Sequence, residues 1–256
     1  MKKLIFSILL LASTLLQASD IYVKPGESIA DAIRQARELR RLNDPSIEGG
    51  ITIHVAAGNY RIYEPLFLRP EDSGTPSSPT IIKGEGEVIV SGGVTVTGWK
   101  RQGKLMVADA PDFCGRPLDF RQFYVNGKKA VRARDVADFE DMYRIIRVDK
   151  QKRVLWVPAA AVRKIQKAPY AEMVLHEMWC VANLRIKDIM FAGDSAAVSF
   201  HDPESRIQFE HPWPCPMVTT DGHNSAFYLT NARELLDVPG EWYHDIRAGK
   251  LYYYPR

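Results

Sequence analysis

Two histidines and two tryptophans have side chains suited to contact with a sugar, namely His176, Trp179, His211 and Trp213. The apolar C–H face of a sugar stacks on an indole ring, and imidazole groups hydrogen-bond to sugar hydroxyl groups. The segment from His211 to Pro216 reads His-Pro-Trp-Pro-Cys-Pro, and it cannot lie in a central strand because alternate residues have no N–H group to donate. The sequence therefore predicts a stiff loop that holds Trp213 at the border of a glycan cleft. Packing of Trp179 and Trp213 in a core is the alternative.

Carboxylates are numerous, but their spacing defines no catalytic pair. Cleavage of a glycosidic bond usually needs two carboxyl groups held a few ångströms apart across that bond. Glu234, Asp237 and Glu241 lie in a turn-rich segment, which predicts surface and capping roles. We therefore assign no catalytic residue to this chain. The other candidate carboxylates are Asp194, Asp202, Glu210 and Asp221.

Three short motifs are better explained as local structure than as chemistry. Gly193-Asp194-Ser195 matches the nucleophile block of GDS-type esterases, but it lies between two strand-like runs, where a turn is expected. His176-Glu177 lacks the second histidine of a zinc helix, so we expect no metal site. Gly84-Glu85-Gly86 is predicted to be a turn between strands. No phosphate loop or dinucleotide fingerprint is present, and no cofactor is expected.

The composition is that of an ordinary soluble globular protein. The 256 residues are 46% hydrophobic and 25% charged, with a net charge of +3 that is too small to indicate nucleic-acid binding. Sixteen prolines and seventeen glycines favour short strands and turns over long helices. Cys114, Cys180 and Cys215 fit no disulfide framework or zinc motif, so small buried residues are the simplest interpretation.

The first eighteen residues are predicted to be an export signal rather than part of the fold. Lys2 and Lys3 precede an apolar run from Leu4 to Leu16, which is too short to span a bilayer, and Ala18 offers a small residue at the cleavage point. The mature chain would begin at Ser19 and be periplasmic, cell-surface or secreted. No other segment is long and apolar enough to anchor it in a membrane.

The next part of the chain alternates one helix with short strands. Ser28 and Asp31 have the spacing of a helix cap, and apolar residues from Ile29 to Leu39 share one helix face. The arginines off that face are interpreted as solvated, with an acidic-polysaccharide patch as the alternative. Period-two alternation then begins at Ile51. Further strands are predicted at 66–68, 80–82, 88–90 and 94–96.

Beyond Trp99 the predicted strands lengthen and pair as hairpins. Asn126-Gly127 is a hairpin turn between Phe123–Val125 and Lys128–Val131, and a second hairpin is predicted from Met142 to Val157. Further strands are predicted at 173–179, 184–189 and 196–200. The terminal stretch, residues 224–256, ends in an aromatic hairpin of Glu241–Tyr243 and Leu251–Tyr254. Such a hairpin needs a partner surface, and we expect Tyr252 to Tyr254 to lack cover within this chain.

Four blocks of sequence resemble the segment before the main coils of secreted bacterial right-handed parallel β-helix proteins. The blocks are Ile51–Ile62 (ITIHVAAGNYRI), Val90–Trp99 (VSGGVTVTGW), Phe123–Arg134 (FYVNGKKAVRAR) and the terminal NSAFYL…LYYYP. The chain thus resembles β-helix glycoside hydrolases of the fucosidase and xylanase-like families and, more distantly, the pectate lyase superfamily. The resemblance implies a mainly β fold, which starts a right-handed parallel β-helix and stops before the main coils.

The resemblance also implies a domain layout and a function. Residues 1–18 are the signal, 19–98 the capping helix and first β-helix strands, 99–222 an inserted antiparallel β domain, and 223–256 the return segment and hairpin. The expected role is carbohydrate-active, with a polysaccharide or oligosaccharide as partner. Catalytic carboxylates are expected in later coils, which a separate chain could supply. A non-catalytic glycan-binding module and a pectate-lyase-like polysaccharide lyase are the alternatives.

Overall fold

The computed structural model of the chain describes residues 18–113 and 115–256. The predicted export signal, apart from Ala18, lies outside the described residues, and so does Cys114. The described chain divides into two compact units, with the boundary between Val94 and Thr95. None of its helices has the length and apolarity needed to cross a bilayer.

The first unit is a three-stranded parallel sheet with a helix packed on it. Strands β1 (Ser19–Val23), β2 (Ile51–Arg61) and β3 (Thr80–Ser91) lie side by side in chain order, and helix α1 (Ile29–Arg41) connects the first two. The predicted alternation from Ile51 is confirmed, because Ile51, Ile53 and Val55 are buried against α1 while the residues between them are half-buried. Short 3₁₀ turns follow at Pro45–Ile47 and Pro70–Asp72.

Helix α1 begins where the sequence predicts. The Ser28 hydroxyl oxygen accepts a hydrogen bond from the Asp31 N–H at 3.1 Å, which caps the helix. Two of its arginines are structural, so their interpretation as solvated residues is wrong. Arg37 donates to the buried Asp72 at 2.7 Å and lowers the pKa of that carboxyl group, and Arg40 donates to Thr80 at 2.7 Å. These contacts fasten α1 to the connection between β2 and β3 and to the first residue of β3.

The predicted turn at Gly84–Gly86 and the separation of 80–82 from 88–90 are both wrong, because all of these residues lie in β3. The strand continues through a register shift, in which β3 advances from Glu85 to Val88 while β2 advances from Ala56 to Gly58. Gly86 within this shift has a φ of +85°, which glycine adopts without strain. Residues 66–68 and 94–96 are irregular rather than extended strands.

His54 ties the three strands of the first unit together. Its Nδ1 lies 2.7 Å from a Glu85 carboxylate oxygen on β3, and its Nε2 lies 3.0 Å from an Asp20 oxygen on β1. These hydrogen bonds, that to Glu85 first, raise the pKa of the imidazole.

The second unit is built from short strands, two helices and three further 3₁₀ turns. The strands are β4 (Lys100–Gln102), β5 (Leu105–Asp109), β6 (Asp112–Phe113), β7 (Arg116–Pro117), β8 (Phe123–Val125), β9 (Lys128–Arg132), β10 (Tyr143–Arg144), β11 (Arg147–Asp149), β12 (Val154–Pro158), β13 (Glu172–Glu177), β14 (Cys180–Ala192), β15 (Ser195–Phe200), β16 (Ala226–Thr230), β17 (Glu241–Asp245) and β18 (Lys250–Tyr253). The helices are α2 (Ala159–Val162) and α3 (Glu204–Glu210), and the 3₁₀ turns are Phe139–Asp141, Arg163–Ile165 and Arg233–Leu235.

Two sheets dominate this unit. The seven-stranded sheet has the order β10-β16-β13-β14-β15-β12-β11 and is antiparallel throughout. The six-stranded sheet has the order β4-β5-β18-β17-β9-β8, and only its β17-β9 pair is parallel. The chain is thus mainly β, as predicted, but its sheets are largely antiparallel. A right-handed parallel β-helix is not among the described elements.

The predicted hairpins are confirmed with one exception. Asn126 and Gly127 both have positive φ, at +49° and +73°, which is the geometry of a two-residue type I′ turn. Strands β11 and β12 pair as predicted, whereas β10 pairs with β16 instead. The terminal hairpin also forms, but the expectation that its aromatics lack cover is wrong. Strand β18 pairs with β5, and Leu251 and Tyr253 are buried beside Trp242.

Candidate functional site

One face of the seven-stranded sheet carries a group of polar side chains. Alternation along β13 sends Met173 and Leu175 into the core and leaves Glu172, Val174 and His176 on the other face. The same face carries residues paired with these positions on the neighbouring strands. They are Arg185, Asn183 and Val181 on β14, and Thr230 and Tyr228 on β16. We call this set the outer face.

One end of the outer face is a basic cleft of about 330 Å³. The residues that line it are Arg121, Lys129, Ala130, Val131, Arg132, Arg134, Val174, Asn183, Tyr228 and Thr230. Strand β9 supplies two of its four cationic side chains, Lys129 and Arg132, and the Arg134–Thr230 bridge joins the segment after β9 to β16.

Glu172 lies at the base of this end and is only 3% exposed. One of its carboxylate oxygens accepts hydrogen bonds from both Arg121 and Arg132, the latter at 2.9 Å. The Arg132 side chain is 9% exposed and stacks over the Trp242 ring, with 5.6 Å to its centroid. Burial lowers the pKa of Arg132, and the Glu172 carboxylate opposes that effect.

The other end of the outer face is aromatic and contains His176. The His176 ring lies 5.5 Å from Phe139 and 6.0 Å from Tyr228, and Arg144 stacks over Phe139 at 4.7 Å. Burial lowers the pKa of His176, so the ring is neutral at pH 7. Its Nε2 is buried without a hydrogen-bond partner. A neutral imidazole of this kind can donate a hydrogen bond to a hydroxyl group and accept one from it.

Trp179 lies at the tip of the hairpin that continues from His176. Met178 and Trp179 form the two-residue connection between β13 and β14, where Glu177 pairs with Cys180. Trp179 has a φ of +72°, in a region that costs a side chain other than glycine roughly 1–2 kcal/mol. The ring is nevertheless 85% exposed, so packing does not account for the conformation. The alternative of Trp179 as a core residue is therefore wrong.

His211 and Trp213 follow helix α3 in an irregular segment. Trp213 is 46% exposed, and its N–H donates to His211 Nδ1 at 3.3 Å. Core packing is thus excluded for Trp213 too. Gln208 of α3 donates to Glu177, which links this segment to the hairpin of His176 and Trp179. The two tryptophan rings do not pair with each other, so the four predicted residues form two adjoining pairs rather than one constellation.

The remaining predicted motifs are structural. Gly193 and Asp194 form the turn between β14 and β15, and the Ser195 hydroxyl group donates to the Ala192 carbonyl at 3.1 Å. His176 and Glu177 lie on a strand, and no group of three or more potential metal-ligating side chains occurs in residues 18–113 and 115–256. Cys180 and Cys215 are free and half-buried. Burial, with Glu177 3.1 Å from the thiol, raises the pKa of Cys180 to about 11.

Sequence reasoning missed the half-buried Asp135 and misread the buried Glu241. Asp135 lines a second cleft of about 390 Å³, and burial raises the pKa of its carboxyl group. One of its oxygens accepts a hydrogen bond from the Leu229 N–H at 2.8 Å, and the other has no hydrogen-bond partner. Nothing in the surrounding sequence signals it. Glu241 is buried rather than on the surface, although its capping role is confirmed by bonds from the Asp237, Val238 and Arg134 N–H groups.

Comparison with known proteins gives a family and a structural relative. Residues 103–256 match the family described as the GH141 insertion domain. A solved structure named "Glycoside hydrolase" is similar to this chain at 61% sequence identity with a TM-score of 0.83. The match covers 93% of this chain but 43% of that protein, so the chain spans less than half of its relative's length. No curated protein matches the chain.

Proposed function

Since this chain belongs to the GH141 insertion-domain family, we propose that it is a carbohydrate-active module whose outer face and hairpin tip contact polysaccharide. The observation that carries the proposal is Trp179, an exposed ring held in a costly backbone conformation at the tip of the hairpin that carries His176. The similarity to a glycoside hydrolase supplies the substrate class.

We propose further that the first unit is the start of a right-handed parallel β-helix. In support, β1, β2 and β3 are all parallel, and β3 is the last strand of its sheet in the described part of the chain. Ile81, Ile82, Ile89 and Val90 of β3 are exposed. An unpaired, apolar edge strand is suited to accept a further strand. That strand would come from further coils of the same protein or from a separate chain.

The proposed role is to hold the glycan rather than to cleave it. Asp135 is the one carboxylate in the walls of the 390 Å³ cleft, and the walls of the basic cleft hold none. A glycosidase site needs two carboxyl groups across the scissile bond. The second candidate, a catalytic role for Asp135 with its raised pKa, rests on that residue alone. A polysaccharide lyase is disfavoured, because the similar solved structure is named a glycoside hydrolase.

Export is part of the proposal, and it rests on the basic, apolar and small residues from Met1 to Ala18. We expect the mature protein from its native host to begin at Ser19 or within a residue or two of it. Intact-mass measurement checks this, and an unprocessed cytoplasmic chain would contradict it.

Glycan contact is tested by removing the exposed rings. Trp179→Ala and Trp213→Ala should each weaken binding to a panel of plant and host polysaccharides by about tenfold at most, because an aromatic contact contributes roughly 0.5–1.5 kcal/mol beyond buried area. Affinity electrophoresis and calorimetry measure the change. Phe67→Ala, which removes an exposed ring from the first unit, is the matched control and should bind as the unchanged chain does.

Three results would contradict the proposal. The first is unaltered binding in both tryptophan variants, and the second is no binding by the unchanged chain. The third is multi-turnover cleavage of a glycan that Asp135→Asn abolishes, which would place a catalytic site in this chain.

A further inference from the structure

The basic cleft holds more positive charge than its own contacts neutralise. Four cationic side chains line it, Arg121, Lys129, Arg132 and Arg134. The Glu172 carboxylate forms ion pairs with two of these side chains, Arg121 and Arg132, and it does so through a single oxygen. Among the described residues, Lys129 and Arg134 form no ion pair. The cleft therefore has an excess of cations that no paired carboxylate neutralises.

The buried Arg132 has a hydrogen-bond donor that no protein group accepts from. The Nη2 group of Arg132 is buried without a hydrogen-bond partner, although the rest of the guanidinium contacts Glu172, Asn231 and the Trp242 ring. A buried donor without a partner is costly, so structures keep such groups rarely. Its presence in the wall of a cleft is an observation independent of the charge count.

The free cations lie beside a ring and two polar groups. The Arg134 guanidinium is 5.8 Å from the centroid of the Tyr228 ring, and Tyr228 also contacts His176 of the aromatic end. Asn183 and Thr230 complete the wall. The cleft thus combines three kinds of group that bind a sugar. An aromatic ring can stack on the apolar face of the sugar, and amide and hydroxyl groups can hydrogen-bond to its hydroxyl groups. The cations can pair with a negatively charged substituent.

We propose that the basic cleft binds the anionic group of an acidic sugar unit, a uronate carboxylate or a sulfate ester, within a glycan that lies along the outer face. The cleft volume of about 330 Å³ is at the lower end of the range for small-ligand pockets, which suits one sugar unit. Lys129 and Arg134 contact the anion, and Tyr228 contacts the ring. This inference rests on the proposed glycan contact and names its substrate class.

The test compares glycans that differ only in charge. The purified chain is titrated with polygalacturonate and with its fully methyl-esterified form, and with dextran sulfate and dextran. We expect the charged member of at least one pair to bind about tenfold more tightly, as charge-assisted hydrogen bonds predict, and high salt to remove the difference. Preference within the first pair assigns a carboxylate, and preference within the second pair alone assigns a sulfate ester.

Charge-neutralising variants locate the effect. K129Q/R134Q should bind the charged and neutral members equally, whereas R147Q/K152Q should keep the preference. The control pair removes the same charge from the same unit, and its Arg147 also stacks on a ring, that of Trp156, at 4.6 Å. K129Q alone, at an exposed position, provides a variant whose folding is not at risk.

The outcomes separate this inference from the proposed function. Binding of neutral and charged glycans with equal affinity overturns the acidic-sugar inference and leaves glycan contact standing. An equal loss of preference in K129Q/R134Q and R147Q/K152Q also overturns it, because the attraction would then come from net charge. Failure to bind any glycan overturns both.

Discussion

Replacing Glu172 with alanine should lower the free energy of unfolding by about 3–5 kcal/mol, the usual effect of removing one partner from a buried ion pair. The physical reason is the charge left behind. Arg132 would keep its guanidinium in an interior position, 9% exposed, without its ion-pair partner. Burial already lowers the pKa of Arg132, which shows that its surroundings disfavour the charge. Urea denaturation followed by circular dichroism measures the change.

Glu210→Ala is the control for this prediction. Glu210 pairs with Arg153, but both side chains are substantially exposed, and such pairs contribute about 0–1 kcal/mol. A Glu172→Ala variant as stable as Glu210→Ala would mean that water reaches Arg132. The basic cleft would then be more open than the structure indicates.

Replacing Trp242 with alanine should lower the free energy of unfolding by about 3–5 kcal/mol, because a large buried ring leaves a cavity that its neighbours fill only partly. Trp242 is 1% exposed and stacks on Phe120, with 5.2 Å between the centroids and 7° between the planes. Its Nε1 has no hydrogen-bond partner, so its contribution is that of apolar packing and of the Arg132 contact. Thermal and urea unfolding measure the loss.

Trp179→Ala provides the matched control for Trp242→Ala. The Trp179 ring is exposed, so its removal should leave the unfolding midpoint close to that of the unchanged chain. Equal destabilisation by the two substitutions would show that burial does not distinguish the two rings, and the assignment of Trp179 to a binding surface would fail with it.

The features that could be predicted from the sequence are those with local causes. The Ser28 cap, the alternation from Ile51 and the Asn126-Gly127 turn each depend on residues within one short stretch. The terminal hairpin is of the same kind, because one loop joins its two strands. These elements were predicted with their types correct and their ends within a few residues.

The features that escaped prediction depend on contacts between distant parts of the chain. Arg132 and Glu172 are 40 residues apart, and no local pattern marks either as buried. The cover over Tyr253 comes from β5, more than a hundred residues earlier, so the sequence of the hairpin alone made it look unprotected. In β3 the glycines that signal a turn instead lie within the strand, at a register shift where β3 advances three residues, from Glu85 to Val88, and β2 only two.

The candidate site divides in the same way. Residue type was enough to select His176, Trp179, His211 and Trp213, because indole and imidazole side chains can be identified as candidate sugar contacts from the sequence alone. The basic cleft was not predicted, since its walls combine β9, β13, β14 and β16 with Arg121, and only sheet pairing brings these together. Arginine in a sequence is ordinarily a solvated residue, and only the structure shows which arginines lack a counter-charge.

The contrast between Trp179 and Trp242 has an optical consequence. An indole in water emits at longer wavelength than one enclosed in an apolar interior, and it is also open to collisional quenchers. Trp179 at 85% exposure should therefore supply a red-shifted, quencher-sensitive part of the emission, and Trp242 at 1% exposure a blue-shifted, protected part. A glycan lying across the hairpin tip would shift the first component and leave the second unchanged, so the unlabelled chain carries its own reporter of occupancy.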